Sequence, residues 1–192
     1  MKRALIACVV AGLLAAACGG AGTGAASTAP VAAATTAAPT ATPAPSPANT
    51  FVFTADLSGA NENPPITDSE ASGSGTATVT LNTTRDAAGK ITAATAKFEI
   101  VLKGFPATTV ITISHIHKGD AKTNGGVVVD SGMKAATPTT LTAGGATITK
   151  DNLTVAADLA TDIIANPGNY YYNVHSAAHP GGVVRGQLKL KT

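Results

Sequence analysis

The four histidines of this chain fall in two places, His115-Ile116-His117 and His175-Ser176-Ala177-Ala178-His179. Side chains alternate along a strand, so His115 and His117 point the same way, about 6.5–7 Å apart. Two imidazoles at that separation can converge on one ion between them. If the strand end at His175 faces the strand end at His117, with His179 on the turn that follows, three or four nitrogen ligands come together. Imidazoles without thiolates suit Cu(II), Zn(II) or Ni(II), and copper or zinc is the cofactor such a site would take. Neutral imidazole is the ligand form, so binding is expected to weaken as pH falls through the ordinary histidine range, about 6.5. Ligand histidines are normally oriented through their second ring nitrogen, and Asp120, three residues beyond His117, is the nearest carboxylate for that role. The plain alternative is a pair of solvent-facing histidines at a strand end, bound to nothing.

Other constellations are weaker. No Gly-x-Ser-x-Gly or His-Glu-x-x-His is present, and no Gly-rich loop leads into a helix with a following Lys. Ser114 cannot serve His115 as nucleophile, because consecutive strand residues face opposite ways, and Ser176 beside His175 meets a similar objection. Glu62, in Asn61-Glu62-Asn63-Pro64-Pro65, reads as a solvated turn carboxylate. Tyr170 and Tyr172 share a face and are expected in the core, with Tyr171 on the other side. Arg185 reads as half of a buried structural pair, or as an anion holder near the histidines. No catalytic set emerges, and no enzymatic activity is expected.

The elements that position these residues are strands. Phe51–Leu57 alternates, as does Thr76–Leu81; Ile91–Leu102 is longer, and Val110–His117 is rich in β-branched residues. Gly126–Asp130 and Ala146–Thr149 are short candidates. Tyr170–His175 and Val183–Leu190, joined by Pro180-Gly181-Gly182, predict a hairpin. From about Thr154 to Ala165, Val155, Leu159 and Ile163 fall at four-residue spacing, which predicts one helix stopped by Asn166-Pro167-Gly168. Many short strands, Gly-rich turns and a single short helix define an all-β class: a Greek-key β-sandwich or barrel.

Before residue 51 the chain is of another kind. Lys2 and Arg3 precede Ala4–Ala17, a 14-residue run of small and apolar residues. A membrane-crossing helix needs about 20, so the run reads as the core of a signal peptide. It ends in Leu14-Ala15-Ala16-Ala17-Cys18, similar to a bacterial lipobox with Cys18 as the lipidated residue; Ala15-Ala16-Ala17 also fits ordinary signal cleavage. Residues 1–18 are thus an export signal, and 19–50, almost entirely Ala, Thr, Pro, Gly and Ser, a disordered linker. The β domain occupies 51–192. Cys8 and Cys18 are the only cysteines, which leaves the domain without disulfides or thiolate ligands. Of 13 basic residues, Lys2 and Arg3 lie in the signal, leaving 11 against 11 acidic ones. Such a balance carries no basic stripe, and nucleic acid is excluded as a partner.

His115-Ile116-His117-Lys118-Gly119 and the stretch from Tyr172-Asn173-Val174-His175 to His179-Pro180-Gly181-Gly182-Val183-Val184-Arg185-Gly186-Gln187-Leu188 together resemble the CHRD domain, known from its repeats in chordin. Phe53–Pro65, with its Glu-x-Pro-Pro turn, is similar to the first strand of that domain. The resemblance implies a β-rich extracellular domain with no established catalytic activity. Val183 stands where an acidic residue often follows the glycines, so the resemblance supplies no neighbouring carboxylate for Arg185. His115-Ile116-His117-Lys118-Gly119-Asp120 is also similar to the copper-ligand strand of copper–zinc superoxide dismutases. That likeness offers only His115 and His117 as ligands, and without the disulfide or a recognisable zinc loop it implies no dismutase. The sequence therefore describes a non-enzymatic, surface-tethered extracellular binding domain. Its partner would be a protein or envelope component, with the membrane reached through a lipid on Cys18. The alternative function is a histidine-based copper or zinc protein.

Overall fold

The computed structural model describes residues 46–192, so the expected export signal, Cys18 and the expected linker up to residue 45 lie outside the described residues. The strands are β1 (Ser46–Ser58), β2 (Ser74–Arg85), β3 (Ile91–Lys103), β4 (Val110–Lys118), β5 (Val127–Asp130), β6 (Thr139–Thr140), β7 (Ala146–Val155), β8 (Tyr170–Ser176), β9 (Val184–Gln187) and β10 (Lys189–Leu190). One helix, α1 (Ala157–Ala165), follows β7. All ten strands belong to one sheet with the order β5-β4-β8-β9-β1-β2-β3-β7, β10 pairing with β1 and β6 with β4. The all-β expectation with one short helix holds.

The sheet rolls up because one face of nearly every strand is apolar. Phe53, Ala55 and Leu57 of β1, Ala77, Val79 and Leu81 of β2, and Phe98, Ile100 and Leu102 of β3 are all buried at alternating positions. Period-two patterning of this kind puts them on a common side. Phe98 meets Tyr172 of β8 edge-to-face with ring centroids 5.2 Å apart, although β9, β1 and β2 lie between their strands. On a flat sheet four strand spacings would separate them by about 19 Å. The curl closes the sheet into a near-barrel around a single core.

Several boundaries differ from the sequence expectation for backbone reasons. β1 starts at Ser46, inside the stretch read as linker, because β2 runs on to Arg85 and its ladder groups pair with Asn49 and Thr50. Ladder bonds need no apolar side chain, so the composition of 46–50 does not register them. β7 continues past Thr149 to Val155 by way of a bulge between Ala96 and Phe98 of β3, with Asn152 at φ +55. Asp151-Asn152, two residues opposite the single Lys97 of β3, form a β-bulge. Val155 thereby pairs with Ala94 as the last strand residue, so α1 starts at Ala157 and buries Ala160 and Ile163. The final strand is likewise divided: β9 pairs with β8 and β10 with β1, around the buried Leu188.

β8 is buried along its whole length and β4 from Ser114 to His117, on both faces. Tyr170, Tyr172 and Val174 belong to the core, and the Ser114 hydroxyl lies 2.8 Å from that of Tyr172. Tyr171, Asn173 and His175 therefore point to the opposite face. That face is covered by the segment after β1 and the loop between β4 and β5, which are tied together where Asn63 Nδ2 donates to the Lys122 carbonyl at 2.8 Å.

Phe98 is fully buried and braces the roll of the sheet. Replacing it with Ala should lower the unfolding free energy by about 3–5 kcal/mol. Urea unfolding followed by circular dichroism measures this, and a loss under about 1 kcal/mol would contradict the packing described.

Candidate metal centre

The ladder between β4 and β8 sets Ile113 opposite His175, His115 opposite Asn173 and His117 opposite Tyr171. His175 is thus a diagonal neighbour of His115 on the same outer face. Ring centroids lie 4.6 Å apart for His115 and His117, 4.5 Å for His115 and His175, and 6.3 Å for His117 and His175. One nitrogen from each ring falls within 4.8 Å of the other two. The exposures are 6% for His115, 9% for His117 and 5% for His175, so the three imidazoles are buried together.

Two of the rings have a defined tautomer. His117 Nδ1 lies 2.7 Å from the Gly125 carbonyl and His175 Nδ1 lies 2.8 Å from the Pro180 carbonyl. A carbonyl oxygen only accepts, so Nδ1 carries the proton in each ring and Nε2 keeps its lone pair. The Nε2 atoms of all three histidines are buried without a hydrogen-bond partner. Buried polar atoms are nearly always satisfied, and three orphaned ring nitrogens in one place, two of them fixed as acceptors, call for a shared partner. Burial holds all three rings below the usual imidazole range, His115 falling to about 4 with further lowering from His175 and His117. The rings are neutral at physiological pH. Protons therefore compete for them at lower pH than the value near 6.5 that exposed histidines would suggest.

The donor set has no thiolate, and no carboxylate among the described residues joins the cluster. Imidazoles alone fit copper and zinc. Zinc bonds of about 2.0–2.1 Å in a tetrahedron bring nitrogens to about 3.3 Å of one another, so the rings would draw inward around an ion.

The turns that complete the site depend on two glycines. A Cβ on Gly125 would lie 1.6 Å from the Lys118 carbonyl, so only glycine lets the loop return close enough to meet His117. Gly182, at φ +129, ends the turn that presents Pro180 to His175, and a Cβ there would run into Asn173 and Glu62.

Not every expected residue is here. His179 lies elsewhere: its Nε2 is 2.9 Å from Asp68 and 3.7 Å from Glu70, and its backbone N–H donates to Ser176 Oγ. The turn carries it away from His175, giving three ligands and not four. Asp120 does not orient a ring; it caps its own loop, accepting from Lys122 N–H and the Thr123 hydroxyl. Backbone carbonyls take the orienting role, and carbonyls leave no mark in a sequence. Arg185, 1% exposed, has no carboxylate hydrogen-bonded to it. Its partners are the carbonyls of Asn61, Ala121 and Thr123, the Asn124 amide oxygen and the face of the Tyr171 ring.

Glu62 is the residue that sequence reasoning missed. It is 7% exposed, its Oε1 has no partner, and burial raises its carboxyl to about 7 against a lowering pull from Arg185. Asn173, between the histidines and Arg185 on the ladders, likewise has an orphaned Oδ1. Asn63, Pro64 and Pro65 stay exposed while the Glu62 side chain turns inward, and only the packing of the loops over the sheet reveals it.

A rolled antiparallel sheet with one short helix and a roofed polar face defines a small all-β domain. Residues 53–188 match the family model of the CHRD domain, and the chain belongs to that family. No curated protein and no solved structure matches it.

Because the folded carboxyl of Glu62 titrates above its unfolded value of 4.5, its contribution to stability is full below pH 4.5 and is lost as pH rises to about 7. The histidines, with depressed values, impose the opposite slope, which cancels in a comparison with Glu62→Gln. The stability of the native chain relative to that variant should fall between pH 4.5 and 7 and then level off in urea titrations. A pH-independent difference would contradict the burial of this carboxyl.

Proposed function

We propose that the domain is a non-enzymatic, envelope-tethered binding module whose ligand is one copper or zinc ion held by His115, His117 and His175. The observation that carries this reading is the set of three buried, unpartnered Nε2 atoms, two of them fixed as lone-pair donors by carbonyls on Nδ1. Pre-set tautomers remove the need to reorganise the rings when an ion enters, and neutral rings remove the need to expel protons. With three protein donors an ion keeps a position for a further ligand, which suits storage, sensing or redox service.

The export signal in residues 1–18, with a lipid on Cys18, and the linker support delivery of the domain to the cell envelope, in keeping with the extracellular character of the family. A second partner, an envelope protein or other envelope component, is favoured by a cavity of about 700 Å³ beside Arg185, lined also by Asn61, Glu62, Lys122 and Gln187.

The test is metal content. Full chain loaded with copper or zinc and freed of excess should carry about one ion per chain. His175→Ala and the double variant His115→Ala/His117→Ala should carry none, and His179→Ala should match the parent. Elemental analysis by mass spectrometry reads the result. Negligible metal in the parent chain, or equal metal in all four proteins, would end the proposal.

A further inference from the structure

The loop from Gly119 to Gly126 holds the carbonyl that orients His117, yet nothing apolar anchors it: Asp120 through Asn124 are all exposed. Its position depends on polar ties, and one buried side chain supplies three of them while also holding the segment after β1. Arg185 Nε donates to the Asn61 carbonyl at 2.7 Å, NH2 to Ala121 at 2.7 Å, and NH1 to Asn124 Oδ1 at 2.8 Å and to Thr123 at 3.3 Å. The rigid fork of a guanidinium is suited to grasping several fixed oxygens at once, which an ammonium cannot do.

A second connection runs through an aromatic ring. The Arg185 guanidinium lies 4.5 Å from the centroid of Tyr171, and the His117 ring stacks on Tyr171 at 4.8 Å with planes 1° apart. β4 and β9 flank β8 on opposite sides, so the Tyr171 ring is held between His117 and Arg185. The Tyr171 hydroxyl also accepts from the Gly125 N–H at 3.1 Å, the same peptide region whose carbonyl takes the His117 proton. His175 has no such support; its orienting carbonyl, Pro180, belongs to the β8–β9 turn.

We infer that Arg185 is a positioning residue for the metal centre, fixing the His117 tautomer and ring through the Gly119–Gly126 loop and Tyr171. The inference rests on the reading of His115, His117 and His175 as an ion site. It also explains why an arginine with no carboxylate hydrogen-bonded to it is kept buried: an apolar residue of similar volume would spare the desolvation cost but could not hold the loop.

The experiment uses the full chain, the variant Arg185→Lys, and Asn124→Ala, a milder change at an exposed position that removes one of the four acceptors along with the Asn124 Nδ2 bond to the Asn63 carbonyl. Asn124→Asp, which loses that bond but keeps the acceptor, is its control and should match the parent. Folding is checked by circular dichroism and melting, Zn(II) affinity by competition with a chromogenic chelator, and imidazole tautomers by long-range proton–nitrogen NMR on the metal-free protein. Arg185→Lys should weaken Zn(II) binding by about 10- to 100-fold, the usual effect of losing an outer orienting group. His117 should lose its single Nδ1–H form in that variant while His175 keeps it, and Asn124→Ala should shift both readouts in the same direction by less. The inference is overturned if a folded Arg185→Lys retains both the His117 tautomer and an affinity within about twofold of the parent. It is also overturned if His117 and His175 change together, since that is general loosening. Should Arg185→Lys not fold, Asn124→Ala decides by the same criteria. A parent chain that binds no zinc or copper defeats the metal reading, while the tautomer comparison still decides the positioning role.

Discussion

One antiparallel ladder, β4 against β8, governs both the core and the outer face of this domain. Its register sets Tyr172 against Ile116 and Ser114 against Val174, delivering Tyr172 and Val174 to the interior. The same register puts His175 on the diagonal from His115 on the other side. A slip of one residue would exchange the two faces, sending imidazoles into the core and tyrosines outward. The packing of Tyr172 on Phe98 across the rolled sheet therefore stabilises the geometry of the histidines as well as the fold. Core and site are two consequences of one alignment.

The outer face carries an unusual load for a sheet surface. Three imidazoles, a guanidinium, a carboxyl and an amide lie beneath two loops with little water access. Removing such groups from water is costly unless each finds a partner. Arg185 finds four oxygens and a ring face, and two histidines find carbonyls. Of the six side-chain orphans among the described residues, five (three Nε2 atoms and oxygens of Glu62 and Asn173) share this one face; the sixth, Thr109 Oγ1, precedes β4. A fold stabilised by its core has gathered most of its unsatisfied polar groups on one covered face.

Much of this was legible in the residues themselves. Strict alternation in Phe51–Leu57 and Ile91–Leu102 marks strands with one wet face, and Pro180-Gly181-Gly182 marks the turn between β8 and β9. His-x-His on a β-branched strand makes the pairing of His115 and His117 unavoidable, because a period of two allows nothing else. The opposite assignments of Tyr171 and its neighbours follow from the same rule. Where the reading failed, the deciding term was long-range. His179 has a spacing suited to joining His175, but Asp68 and Glu70, more than a hundred positions earlier, supply a charged alternative. Glu62 looks like a solvated turn residue until the loop beyond β4 closes over it.

The sequence by itself determined the strands, the faces of their side chains, the hairpin that carries His175 and the absence of any thiolate from the domain. These follow from local periodicity and composition, which act over a few residues. The tertiary structure alone decided that β4 and β8 are neighbours, that the Gly125 and Pro180 carbonyls meet the two rings, and that Arg185 clasps a loop about sixty residues away. Those contacts join backbone groups that every residue possesses, so no choice of side chain announces them, and only the closing of the sheet brings them within hydrogen-bonding distance.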